Sequence, residues 1–267
     1  MRIDSIMTRD PLAIPADSDP AWALRTMDEN VLRHLPVVDR DEVVGVVSDR
    51  DLLGTTDGRS EQAMGDGNGG PTVRDLMHAP IIGVRPEDTL VTASLDLVLR
   101  GIGCLPVIDG NRLVGMVTET DLLRCYHHEA NSGSLTGDFD PPIEQYMSTE
   151  LETVGPDTTL GEAFGCLFQK NVRHLPVVDE GKLAGLLSDR DLRLARGQGR
   201  TDDEPVGSFM TTMVLTVRPE ALMTHAAWMM LENKVSSLPV ELDGELRGII
   251  TSTDVLEHCG HTLWEPE

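Results

Sequence analysis

One seven-residue phrase occurs four times in this chain, and it constrains the fold more than any other feature. It reads Gly45-Val46-Val47-Ser48-Asp49-Arg50-Asp51, then Gly115-Met116-Val117-Thr118-Glu119-Thr120-Asp121, then Gly185-Leu186-Leu187-Ser188-Asp189-Arg190-Asp191, then Gly248-Ile249-Ile250-Thr251-Ser252-Thr253-Asp254. The closing aspartates follow one another at 70, 70 and 63 residues. A period of that size marks a chain built from repeated supersecondary units, none of which can bury its apolar face alone. Each copy has the form of a short apolar strand ending in a hydroxyl side chain, with a carboxylate three residues further on.

A second phrase precedes each copy at constant distance. Its forms are Leu32-Arg33-His34-Leu35-Pro36-Val37-Val38-Asp39, Ile102-Gly103-Cys104-Leu105-Pro106-Val107-Ile108-Asp109, Val172-Arg173-His174-Leu175-Pro176-Val177-Val178-Asp179 and Val235-Ser236-Ser237-Leu238-Pro239-Val240. Between the two phrases stand polar turns, Arg40-Asp41-Glu42, Gly110-Asn111-Arg112, Glu180-Gly181-Lys182 and Asp243-Gly244-Glu245. Two β-branched runs about such a turn predict a hairpin. Upstream lies a helical pattern, with Leu160, Ala163, Phe164, Leu167 and Phe168 on one face behind the cap candidates Asp157 and Thr158. In the first repeat Leu24, Met27 and Val31 follow Asp19-Pro20 in the same way. Before each helix an extended stretch ends in proline (Pro15, Pro86, Pro156, Pro219), and after each anchor aspartate a short helix follows. The predicted unit is therefore strand, helix, strand, strand, helix in about 55 residues, too few to cover its own sheet, so units should pair.

The copies alternate. Repeats one and three share RHLPVVD and SDRDL, whereas repeats two and four share VRPE and a T-x-T-D anchor, so a two-repeat module was duplicated. Stretches Asp57–Gly70, His128–Pro142 and Gly197–Glu204 read as linkers. Modules are expected at 1–130 (repeats 1–56 and 71–127) and 140–260 (repeats 142–197 and 205–259), in an α/β (α+β) fold.

Composition narrows the partners. The formal net charge is −23, and lysine is confined to Lys170, Lys182 and Lys234, so arginine supplies nearly all positive charge. Acidic surfaces of this kind suit a salt-loaded cytoplasm, where self-repulsion is screened. The same charge argues against nucleic-acid binding, which needs a basic face. Cys104, Cys125, Cys166 and Cys259 have no CxxC spacing and are expected to be reduced and mostly buried. The charged start of the chain does not read as a signal peptide, and no run reaches the ~18 apolar residues of a membrane span, which predicts a cytoplasmic protein. Walker, G-x-S-x-G and H-E-x-x-H signatures are absent, which points away from an enzyme.

The two phrases, in order and four times over, resemble the cystathionine-β-synthase (CBS) domain, a regulatory nucleotide-binding module found in tandem pairs known as Bateman modules. With four repeats the chain is similar to the gamma subunit of AMP-activated protein kinase and its archaeal counterparts. The resemblance implies paired repeats about a pseudo-twofold axis, adenine nucleotides (AMP, ADP or ATP, or S-adenosylmethionine) as ligands with no catalytic cofactor, and a regulated partner protein; a homodimer is compatible with it. By this carry-over Asp51, Asp121, Asp191 and Asp254 hold ribose hydroxyls, the use of a carboxylate familiar from dinucleotide folds. Ser48, Thr118, Ser188 and Thr251, helped by Thr120 and Thr253, face the same cleft. Arg33, His34 and Arg50, and likewise Arg173, His174 and Arg190, would meet phosphate, for which the arginine fork is suited. Leu12, Ile82 and Leu215, with Leu32, Ile102, Val172 and Val235, would sandwich the purine.

The same residues have plain structural uses. An aspartate between strand and helix serves as an N-cap, His34 and His174 suit turns satisfied by backbone, and the Met229-Met230 pair suits a core. His258-Cys259-Gly260-His261 is a poor metal signature, lacking a second ligand pair at the usual spacing. Repeats two and four carry Gly103-Cys104 and Ser236-Ser237 in place of Arg-His, so their sites must borrow charge from the paired repeat. One or two of the four sites are expected to be filled.

Overall fold

In a computed structural model, the chain is described at residues 1–40, 42–56, 70–132 and 140–262, with side chains omitted at 53–56 and 261–262. It divides into two units, one holding Met1–Cys125 and the other starting at Tyr126.

In the first unit, β1 (Thr8–Arg9) and β2 (Ile14–Pro15) lead to α1 (Pro20–Asn30), then the hairpin β3 (His34–Asp39) and β4 (Glu42–Ser48), then α2 (Asp49–Thr56). The second repeat runs from α3 (Val73–Leu76) through α4 (Leu90–Arg100), β5 (Cys104–Asp109) and β6 (Arg112–Thr118) to α5 (Glu119–Asn131). The second unit repeats this pattern with α6 (Leu160–Lys170), β7 (His174–Asp179), β8 (Lys182–Ser188) and α7 (Asp189–Gly197), then α8 (Met223–Asn233), β9 (Ser237–Leu242), β10 (Glu245–Thr251) and α9 (Ser252–Thr262). The turns that join each hairpin take positive φ at Arg40, Gly110, Glu180, Gly181, Asp243 and Gly244, as tight hairpins require.

The first strand of the expected unit is the least developed element. It pairs in parallel with the hairpin over two residues in repeat one (Ile14↔Val37, Pro15↔Val38). In the others it shrinks to single bridges, Val84↔Val107, Val154↔Val177 and Val217↔Val240. The flanking prolines, which have no N–H to donate, keep it short.

Each repeat begins by crossing to its neighbour. Ile3 and Asp4 donate backbone bonds to the Asp88 and Pro86 carbonyls, and Thr8 pairs with Met116. In return Val73 and Arg74 donate to the Ser18 and Ala16 carbonyls, and His78 pairs with Val46. The second unit does the same: Ile143 donates to Ala221 and Ser148 pairs with Ile249, while Val206 donates to Thr158 and Thr211 pairs with Leu186. The exchange is buried, since Val73 joins the core of repeat one (Ile14, Met27, Leu35, Val37, Val47, Leu52) and Val206 that of repeat three (Leu160, Leu167, Leu175, Leu187, Leu192). Neither repeat of a pair closes its core alone, as a 55-residue unit demands.

Several local expectations are corrected. The cap of α6 is Thr159, whose hydroxyl accepts from the Glu162 N–H while Glu162 accepts in return, and neither Asp157 nor Thr158 takes that role. Val31 does not continue the apolar face of α1; it is the left-handed C-cap at φ 57° and is 70% exposed. Phe168 is half exposed and stacks on Phe164 beside the buried stripe. Met230 is core, whereas Met229 is half-buried. Cys104, Cys125 and Cys259 are buried, Cys166 is half-buried, and all four are free thiols. Among the described residues no helix is long and apolar enough to cross a membrane. The linker positions 57–69 and 133–139, the turn residue Asp41 and the His261 side chain lie outside the described residues.

Candidate functional site

The hydroxyl that ends each anchor strand is a helix N-cap, and the aspartate three residues on stands at N3. Oδ2 of Asp51 accepts from the Ser48 backbone N–H at 2.8 Å and its hydroxyl at 2.6 Å. Asp121 and Thr118 make the same pair of bonds at 3.0 and 2.7 Å, Asp191 and Ser188 at 2.8 and 2.7 Å, and Asp254 and Thr251 at 2.7 and 2.8 Å. Each aspartate N–H points back to the same hydroxyl. This is the reciprocal capping box, which satisfies orphan donors at a helix start. The aspartate is therefore not the N-cap, as the plain reading had it, and the hydroxyls of Ser48, Thr118, Ser188 and Thr251 spend their proton on Oδ2.

With Oδ2 committed, Oδ1 is the atom each anchor can offer. The four differ there. Oδ1 of Asp51 accepts from His78 Nε2 at 2.9 Å, and Oδ1 of Asp121 from Arg124 Nη1 at 3.3 Å. Among the described residues, Oδ1 of Asp191 and Asp254 has no partner. Burial pushes the Asp254 carboxyl above the usual carboxylate range, against the opposing pull of its bonds from Thr251.

The basic phrases are brought beside the anchors. Asp49 N–H donates to the Arg33 carbonyl at 2.9 Å and Asp189 N–H to Arg173 at 3.1 Å, so Arg33 and Arg173 adjoin the helix starts. Arg33 Nε lies 3.9 Å from Asp49 Oδ2, with Asp49 nearly buried, so part of the local positive charge is balanced. Asp49 and Asp189 were not singled out from sequence, because they look like surface charge inside SDRD. Arg50 and Arg190 are half-buried, Thr253 is half-buried, and Thr120 is exposed.

His34 and His174 face the paired repeat. A Cβ on Gly103 would lie 2.7 Å from the His34 ring, and His174 Nε2 stands 3.5 Å from Ser236 Oγ. Position 103 thus needs glycine because the histidine fills the space. The contact also sets the histidines of repeats one and three against repeats two and four, the geometry that borrowing requires.

Leu12, Ile82 and Leu215 lie just after the crossing segments, before each repeat's first strand or bridge, and are 45%, 37% and 40% exposed. Leu32 and Val235 are exposed to the same degree, and Ile102 and Val172 are half-buried. Repeat three has Glu152 at the position of these three, bonded to Lys170 Nζ at 2.6 Å.

The crossing segments also hold residues that sequence reasoning missed. Met7, Met77, Met147 and Met210 seat their sulfurs where Gly115, Gly45, Gly248 and Gly185 have no side chain. Each is followed by a polar residue, Thr8, His78, Ser148 or Thr211, pinned by backbone pairing to the anchor strand. Their recurrence at 70, 70 and 63 residues was available as a signal.

The CBS domain profile matches residues 3–56, 73–128, 143–197 and 206–261, which is most of the chain. The chain belongs to the CBS domain family. Protein MJ1225 of Methanocaldococcus jannaschii is 26% identical over 266 residues, covering 88% of this CBS chain and 90% of its own length. MJ1404 of the same organism is 26% identical over 275 residues; the match takes in 96% of this chain but 61% of MJ1404, less than two thirds of its length. The crystal structure of MJ1225, proposed as an archaeal homolog of g-AMPK, has a TM-score of 0.82 at 23% identity and covers 97% of this chain and 99% of that one, a likeness of fold. A conserved protein from Pyrococcus horikoshii gives 0.70 at 26% identity, covering 96% and 99%. The fold is thus that of four CBS repeats in two Bateman pairs.

Proposed function

We propose that this CBS protein is a non-catalytic sensor of adenosyl nucleotides, binding them at the anchor aspartates and signalling to a partner protein. Its working modules are residues 1–130 and 140–260. The observation that carries the reading is the divided carboxylate: one oxygen is fixed by the helix cap, and at Asp191 and Asp254 the other has no partner among the described residues. A fixed acceptor beside half-exposed apolar residues and arginine suits a ribose flanked by base and phosphate. Arg173 and Arg190 would take phosphate at the Asp191 site, with His174 reaching toward the paired repeat. Nucleotide binding can act on a partner only by favouring one of two arrangements of the chain.

Titration calorimetry in molar salt with AMP, ADP, ATP and S-adenosylmethionine tests the reading. Asp191→Asn keeps an oxygen for the cap but turns an amide toward the ligand. Loss of a hydrogen bond to a charged acceptor, about 1.5–3 kcal/mol, predicts roughly tenfold or greater weakening at that site. No heat from any adenosyl ligand would sink the proposal.

A second reading, a ligand-free docking platform, is favoured by one observation: the capping box alone gives all four aspartates a structural task. Anchor Asp→Asn variants that fold and regulate like the parent chain would support it.

A further inference from the structure

His78 is the exception among four equivalent positions. Thr8, Ser148 and Thr211 occupy the same place in the other crossing segments, and among the described residues none of their hydroxyls bonds an anchor carboxylate. His78 is fixed by its backbone, which donates to the Val46 carbonyl at 2.8 Å and accepts from the Val46 N–H at 3.3 Å. The preceding Met77 is seated on Gly45, where an added Cβ would lie 2.7 Å from the sulfur. The imidazole is thereby held with Nε2–H donating to Asp51 Oδ1 at 2.9 Å, the side chains being 79% and 17% exposed. Oδ2 of Asp51 is already committed to Ser48. Both oxygens of Asp51 are therefore bonded, one by its own helix cap and one by the crossing segment of the paired repeat.

We propose that His78 is the selectivity residue of the Asp51 site. It occupies the oxygen that a ligand's vicinal hydroxyls must reach, and so ranks this site below those of Asp191 and Asp254 for any ribose-bearing ligand. The inference rests on the nucleotide reading above and adds an order of filling to it. A diol arriving at Asp51 exchanges one donor for another, whereas at Asp191 and Asp254 it meets an oxygen that no described residue bonds. Arg124 makes a comparable bond at Asp121, but at 3.3 Å against 2.9 Å, and from within the same helix, it is the weaker obstacle. The ligand class discriminated against is any nucleoside or nucleotide with free 2′ and 3′ hydroxyls.

The test isolates the Asp51 site in the full chain carrying Asp121→Asn, Asp191→Asn and Asp254→Asn, with AMP as the probe. In that background His78→Thr, which installs the residue found at the counterpart positions of repeats one and four, and His78→Ala should each tighten AMP by roughly 1.5- to fivefold, the range of a solvent-exposed ion pair. Unchanged or weaker binding in both variants overturns the proposal. Should the triple background unfold, the parent chain gives the answer by NMR of the histidine rings. Staged addition of AMP should move the His78 ring signal only after the first equivalents have bound elsewhere, and movement with the first equivalents overturns the order. If the parent chain takes up AMP but His78 substitution has no effect, the inference fails alone; if the parent binds no AMP, the nucleotide reading fails with it.

Discussion

Burial acts on the Asp254 carboxyl, and its effect on stability has a sign. Burial raises its carboxyl above the ordinary value of 3.8, with the Glu257 charge adding to the effect and the Thr251 bonds opposing it. A raised folded-state value means the folded chain binds more protons than the unfolded one across that window. This group's contribution to stability therefore falls as pH rises through it, and is most favourable on the acid side. Ligand binding runs the other way, because only the carboxylate accepts two ribose hydroxyls. As pH is lowered from neutrality, the Asp254 site should lose AMP as its carboxyl takes up a proton. AMP titrations of the parent chain and Asp254→Asn over a pH series check this, and a substitution that leaves the pH dependence of binding unchanged would contradict it.

At the scale of elements, hairpins and helices were legible because their signals are local. Asp19-Pro20 marked the start of α1, where Asp19 Oδ1 accepts from Ala21 N–H at 2.6 Å, and Leu-Pro-Val runs about an Asp-Gly turn marked β9 and β10. The crossing segments carry a weaker signal, because two to four residues show no helix or strand pattern and only the spacing of Met7, Met77, Met147 and Met210 marks them. Met210-Thr211 makes sense only once Leu186 and Gly185 of the paired repeat are beside it. The site was read in part for the same reason. The carboxylate, hydroxyl and arginine fall in the phrases, but the partner that divides Asp51 from Asp191 comes from residue 78, outside them. The exchange also predicts a cost. An added Cβ at Gly185 would meet the Met210 sulfur at 2.5 Å and the Thr211 carbonyl at 3.0 Å. The methionine can shift but the backbone cannot readily do so, so Gly185→Ala should destabilise the chain by about 1–3 kcal/mol in chemical denaturation. A variant as stable as the parent would mean that the crossing segment is not held there.

For the whole molecule, a net charge of −23 sets the conditions under which any of this is measured. Self-repulsion of that size opposes the compact state and is screened by salt, with a Debye length of about 10 Å at 0.1 M falling to about 3 Å at 1 M. The thermal midpoint should therefore rise between those two concentrations, and an unchanged midpoint would show that the acidic surface carries no such penalty. The same field opposes anionic ligands, which makes the local arginines at Arg33, Arg173 and Arg190 more consequential than their number suggests. The central claim is that the outward oxygens of Asp191 and Asp254 hold a nucleotide ribose. Titration calorimetry of AMP in molar salt, comparing the parent chain with Asp191→Asn/Asp254→Asn, tests it most directly. Saturable binding that the double substitution weakens by roughly tenfold or more is the predicted result; equal isotherms for the two chains would contradict it.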